Sequence, residues 1–230
     1  MAGPRVTHGR LAVPRTGVRS WWGKAWQRAV EEAAYVEQDL RAGKALARRA
    51  EVGGISVAAG SLLAAVREGD DAWTVEVAVP VLSDDERRAL VDVVAAEAGR
   101  IAALLAGELG HELVEHAEEA GVELLPYGGE LAATCTCDAY LDPCRHAIAM
   151  LVQTGWLVDA DPLVLFAVRG LDRESLLAAL HERSTGATSS GSIGVADLAD
   201  DVEVAADAML RAQRLVALME AGAELPEDLF

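Results

Sequence analysis

All three cysteines of this chain, Cys135, Cys137 and Cys144, fall within ten residues, and His146 follows two positions after the last. The spacing is Cys-x-Cys, six residues, then Cys-x-His. Three thiolates and an imidazole are the soft, four-donor set that Zn²⁺ takes in structural sites. An odd number of cysteines crowded into one place makes a poor disulfide framework. An iron–sulfur cluster would want four thiolates or a Rieske pair of histidines, and neither is present. A catalytic zinc keeps a position open, whereas all four ligands here come from the protein. The residues predict one structural zinc ion held by Cys135, Cys137, Cys144 and His146. A Cys135–Cys137 redox pair, or another metal, is the alternative, and it leaves the placement of Cys144 and His146 unexplained.

Such a site needs particular elements around it. On an extended strand, positions two apart face the same way, so Cys135 and Cys137 can grip one ion. On a helix, positions two apart point about 200° apart, which would separate Cys144 from His146. Pro143 resolves this by placing Cys144 at or just before a helix start, with His146 in the first turn. A helix N-terminus also favours thiolates through its partial positive charge and free N–H groups. The pattern predicts a zinc-bound strand–turn–helix, with a strand at 131–134 and a helix from Pro143 onward.

Upstream, Ser20 caps an expected helix carrying Trp22, Trp26, Ala29, Ala33 and Val36 on one stripe. Short β-branched runs punctuated by glycines predict a three-stranded antiparallel meander at 54–58, 61–67 and 73–79. Ser83 and Glu86 form a capping box that opens a long helix ending near 107–110. A shorter helix follows at 111–120, then a strand at 122–125 and a turn at 126–129. Downstream, helices are expected at 163–168 and 176–180. The fold class is α+β: a small antiparallel meander packed by helices, with the zinc-bound segment and a separate C-terminal helix.

Lys+Arg 20 against Asp+Glu 37 gives a net charge of −17. A uniformly acidic surface repels nucleic acid, which argues against a protein that coats DNA. The charge is not uniform. Residues 1–50 carry ten basic and four acidic side chains, and residues 51–230 carry ten and thirty-three. Within 1–28 the basic residues Arg5, Arg10, Arg15, Arg19, Lys24 and Arg28 have no acidic neighbour in sequence. They define a candidate nucleic-acid contact, with Arg145 beside the zinc. No apolar run approaches a membrane span, and the start has no continuous apolar stretch of the secretory type. Lysine is scarce and asparagine absent, a bias of GC-rich bacterial genomes, and the expected location is the bacterial cytoplasm.

Other histidines carry no chemistry. His111 and His116 are five apart, roughly 140° around a helix, whereas a metalloprotease helix needs them four apart. His8 and His181 have no companions. There is no Gly-x-Ser-x-Gly elbow, phosphate-binding glycine loop or recognisable catalytic carboxylate pair.

Cys-x-Cys…Cys-x-His is the signature of the SWIM zinc finger, and the segment CTCDAYLDPCRHAIAML with the following DADPLVLFAVRGLDRESLLAAL resembles the bacterial SWIM family common in actinomycetes. SWWGKAWQRAVEE at 20–32, PVLSDDERRAL and LLAGEL extend the resemblance over roughly 20–180. Family members often carry Pro-Asp-Trp after the second cysteine, where this chain has Asp138-Ala139-Tyr140. The resemblance implies a module that binds protein or DNA, associated in bacteria with Swi/Snf-type helicase-like ATPases, and it implies no catalytic activity. The expected organisation is a basic extended arm (1–19), an α/β N-terminal part of the core (20–130), the SWIM finger and following helices (131–180), a flexible linker (181–194) and an amphipathic C-terminal helix (195–230).

Overall fold

A computed structural model describes the backbone of residues 5–190. The expected helix within 195–230 lies outside the described residues. The chain divides after Leu180 into two units, Met1–Leu180 and His181–Phe230.

The first unit is α+β. Its sheet has five antiparallel strands in simple sequence order: β1 (Val6–His8), β2 (Ile55–Ala58), β3 (Ser61–Glu68), β4 (Asp71–Ala78) and β5 (Ala132–Cys135). The three strands of the expected meander are the centre of this sheet, the strand expected at 131–134 is its edge strand β5, and β1, which was not expected, forms the other edge. β1 comes from the stretch read as an extended arm. It pairs Val6 with Val57 and His8 with Ile55. The period-two pattern sends Ile55, Val57, Leu62, Ala64, Val66, Val75 and Val77 to one buried face.

That face is covered by α6 (Arg145–Ala160), which contacts β3, β4 and β5. Ala147, Ile148, Ala149, Met150 and Leu151 are all buried, so α6 is buried nearly all round rather than along one stripe. Its far side receives α1 (Trp21–Ala33) and α2 (Glu37–Arg48). Ser20 caps α1 by accepting from the Gly23 N–H. Trp26 and Trp22 are buried, and their indole N–H groups donate to Leu151 O (3.0 Å) and Val158 O (2.8 Å) of α6. Two of the three clustered tryptophans are thus core anchors.

α2 was not expected, and Gly43 within it is poor for helices in isolation. The structure explains the glycine. A Cβ there would lie 2.6 Å from Ile148 Cγ2 and 2.7 Å from the carbonyl oxygen of Arg145, so α2 and α6 cross too closely for any side chain.

The single long helix expected from Ser83 is two: α3 (Asp84–Ala95) and α4 (Ala98–Leu105). The Ser83–Glu86 capping box is present. The break at Ala96 and Glu97 is stabilised by Arg100, whose guanidinium donates to the open Val93 carbonyl (2.7 Å) and pairs with Glu97 (2.6 Å). α5 spans His111–Glu119. Residues 122–125 are not a strand. Val122 and Leu124 are buried, but the Glu123 carbonyl accepts from Arg169 Nη2 (2.7 Å) in place of a ladder partner. α7 (Leu163–Val168) is as expected. α8 runs Arg173–Ser190, so the expected helix at 176–180 continues through 181–190, part of the stretch read as a linker.

Candidate metal centre

β5 delivers the first two cysteines. Ala133 pairs with Val77 and Cys135 with Val75, which places both on the inward side of the sheet. Thr136 extends the pairing one residue: its N–H donates to Thr74 O, and its hydroxyl accepts from the Thr74 N–H, both at 3.0 Å. The loop that follows is tied back at its far end, where Asp142 Oδ2 accepts from the Ala133 N–H (3.0 Å). Cys144 is the N-cap of α6, with extended backbone, and its carbonyl already accepts from Ile148 N (2.9 Å). His146 is the second residue of the helix. The extended cap turns Cys144 toward the side that His146 faces, which a helical residue two positions earlier could not do.

The donor atoms of Cys135, Cys137, Cys144 and His146 all lie within 4.8 Å of one another. His146 Nδ1 is 3.8 Å from Cys135 Sγ and 3.9 Å from Cys144 Sγ. A tetrahedral zinc with bonds of about 2.3 Å to sulfur and 2.0–2.1 Å to nitrogen separates such donors by roughly 3.6 Å. The cluster is therefore close enough to bind one zinc ion, and the two His146–sulfur distances exceed this by only a few tenths of an ångström.

The electrostatics agree. Cys144 and His146 are buried, and Cys135 and Cys137 are half-buried. Burial pushes the Cys135 thiol up to about 12, opposed by the Cys137 N–H directed at its sulfur and reinforced by the neighbouring cysteines. Burial also raises Cys144, against the N–H groups of Ala147 and His146. These backbone donors are placed to cap thiolates, yet no positive charge in the cluster stabilises them. A divalent cation held by these donors would stabilise the thiolate forms. The other ring nitrogen of His146, Nε2, lies 3.0 Å from Glu68 Oε2, and the Trp73 ring packs 5.8 Å from the imidazole. Neither residue was singled out in the sequence.

Of the basic candidates, Arg145 lies beside the site, 3.6 Å from Glu68 Oε1. Arg5, Arg10, Arg15, Arg19, Lys24 and Arg28 are all exposed. Arg5 adjoins β1, four strand spacings from β5 across the sheet, or roughly 19 Å at about 4.8 Å per step. His111 and His116 are exposed, as expected. His111 stacks on Trp21 at 3.9 Å, and His116 Nδ1 meets Arg100 and the Glu112 carbonyl. No described helix is long and apolar enough to cross a membrane.

Comparison with known proteins bears on the site directly. The SWIM zinc finger family matches residues 120–155, which contain all four donors. Over 201 residues the chain is 28% identical to "Uncharacterized protein Rv2102" of Mycobacterium tuberculosis, an alignment covering 86% of this chain and 68% of that one. No solved structure matches. The motif, the clustered donors and the family match converge: residues 120–155 are similar to the SWIM zinc finger, and the four donors within them lie at the end of the sheet and the start of its central helix.

Proposed function

We propose that Cys135, Cys137, Cys144 and His146 ligate one structural zinc ion, and that the protein is a non-enzymatic adaptor whose zinc-held loop binds a protein partner. Four protein donors fill the coordination sphere of a tetrahedral zinc, so no position is left for a substrate or an activated water. The zinc instead fixes residues 136–143 between β5 and α6.

One observation carries the interaction reading. Tyr140, at the tip of this loop, is 99% exposed, and Leu141 beside it is also exposed. A rigidly held tyrosine is the kind of residue that supplies binding energy at protein interfaces. The acidic body disfavours a nucleic-acid surface around it. By family resemblance the partner class is a Swi/Snf-type helicase-like ATPase in the bacterial cytoplasm.

The experiment is purification of the tagged full chain from its host, with and without nuclease, for wild type and Tyr140→Ala. A stoichiometric ATPase that survives nuclease and is lost with Tyr140→Ala supports the proposal. Retention unaffected by Tyr140→Ala removes the loop as the docking site. Loss of all partners on nuclease treatment favours the second reading, nucleic-acid binding through the exposed basic residues 5–28. That reading predicts salt-sensitive DNA or RNA binding, abolished by deleting residues 1–19.

A further inference from the structure

We infer that Glu68 is a positioning residue for the metal: it fixes the His146 ring so that Nδ1, not Nε2, is the ligand atom. The inference rests on the zinc-ligand assignment proposed above.

A neutral imidazole carries its single proton on one nitrogen or the other, and only the unprotonated nitrogen can bind a metal. In solution either form is available. Here the two nitrogens face different chemistry. Nδ1 points among the thiols, 3.8 Å from Cys135 Sγ and 3.9 Å from Cys144 Sγ. Nε2 lies 3.0 Å from a carboxylate oxygen of Glu68, which can only accept, so Nε2 carries the proton and donates. The Nδ1 lone pair is thereby directed among the thiols, where the metal would be held.

Glu68 is itself held in place. It is the last residue of β3, paired with Asp71 across the β3–β4 turn. Its other oxygen, Oε1, is 3.6 Å from Arg145 Nη1, and Arg145 Nε is 3.5 Å from Asp39 Oδ1 of α2. Arg145 immediately precedes His146, so this guanidinium links the carboxylate to the helix it orients. Trp73, the partner of Val66 on β4, packs its ring against the imidazole from the side. The zinc finger is therefore completed by two residues of the preceding hairpin that lie outside its own sequence segment.

The test uses the full chain as wild type, Glu68→Gln and Glu68→Ala, with Arg67→Ala as a control. Arg67 is adjacent but pairs with Glu51, away from the imidazole. Zinc affinity is measured by competition with a chromophoric chelator, and the protonated ring nitrogen of His146 by ¹⁵N NMR of the zinc-loaded protein. Glu68→Ala is expected to weaken zinc binding by about 10- to 100-fold and to turn a single Nε2–H tautomer into a mixture. Glu68→Gln keeps an acceptor without the charge and falls between wild type and Glu68→Ala. Arg67→Ala matches wild type. Cobalt-substituted Glu68→Gln retains tetrahedral absorption bands, because all four ligands remain. A Glu68→Ala protein with wild-type affinity and tautomer overturns the inference while leaving the ligand assignment intact. A wild-type chain that takes up no zinc overturns both. Should Glu68→Ala not fold, the Glu68→Gln affinity and tautomer decide: wild-type values for both overturn the inference.

Discussion

Both edges of the sheet end in short strands, and they are secured in different ways. β1 has three residues, mostly exposed, joined to β2 by its ladder and by a Thr7–Ser56 hydroxyl contact at 2.8 Å. β5 has four residues and continues into the cysteine cluster, which binds it to the N-terminus of the buried central helix. An edge strand held by backbone hydrogen bonds alone is locally labile, since each bond contributes only about 0.5–1.5 kcal/mol net. A strand that also supplies metal ligands is coupled to the core through the ion. Zinc bound at the cluster would do the work that further strands or a larger core do elsewhere, on one edge only.

The largest expected effect comes from breaking the metal edge. Cys144→Ala, or chelation of the wild type, removes a contribution on the order of several kcal/mol, since structural zinc supplies folding energy directly. Hydrogen exchange should show amides of 131–156 losing protection while the β2–β4 meander keeps it. If Cys144→Ala keeps full protection in 131–156, zinc is not structural here.

Next in size is the pH dependence of zinc binding. The Cys135 and Cys144 thiols are raised above their ordinary range, so both hold protons in the metal-free protein at neutral pH and must release them to bind. Each proton released contributes a factor of ten per pH unit, so affinity falls by at least about 100-fold for each unit of acidification below neutrality. Competition titrations at pH 6, 7 and 8 check this. A slope below one proton would mean that the thiols are already ionised.

Gly43→Ala sharpens the comparison from the core side. The added methyl meets the Arg145 carbonyl, which belongs to the same turn as His146. Overpacking of this kind costs about 1–3 kcal/mol, read by urea denaturation. Zinc affinity should fall with it, because the helix start must shift. The smallest effect is expected at the other edge. Deleting residues 1–9 should cost about 1–2 kcal/mol and leave zinc affinity unchanged, since β1 shares no contact with the cluster.

The difference in what could be read from sequence follows the same division. The four donors and their strand–turn–helix were legible because ligand spacing is local: eleven residues separate Cys135 from His146. The central strands were legible from their alternation. Glu68 was not, because it lies 78 residues before its histidine and glutamates at strand ends are common. The α3–α4 break was hidden for a similar reason. The hydrophobic stripe runs on unbroken, and only Arg100 reaching back to the Val93 carbonyl makes the interruption stable. Helix α2 was obscured by Gly43, a residue poor for helices in isolation and required by a neighbour more than a hundred positions away. Tryptophans 22 and 26 could be recognised as core anchors, but their carbonyl partners on α6 could not.

The most direct measurement is X-ray absorption spectroscopy at the zinc edge of the full-length protein, with metal content determined on the same sample. One zinc per chain is expected, with three sulfur neighbours at about 2.3 Å and one nitrogen at about 2.0–2.1 Å. A shell with fewer than three sulfurs, an exchangeable oxygen in the fourth position, or a metal-free chain whose residues 131–156 stay fully protected would contradict a closed structural site.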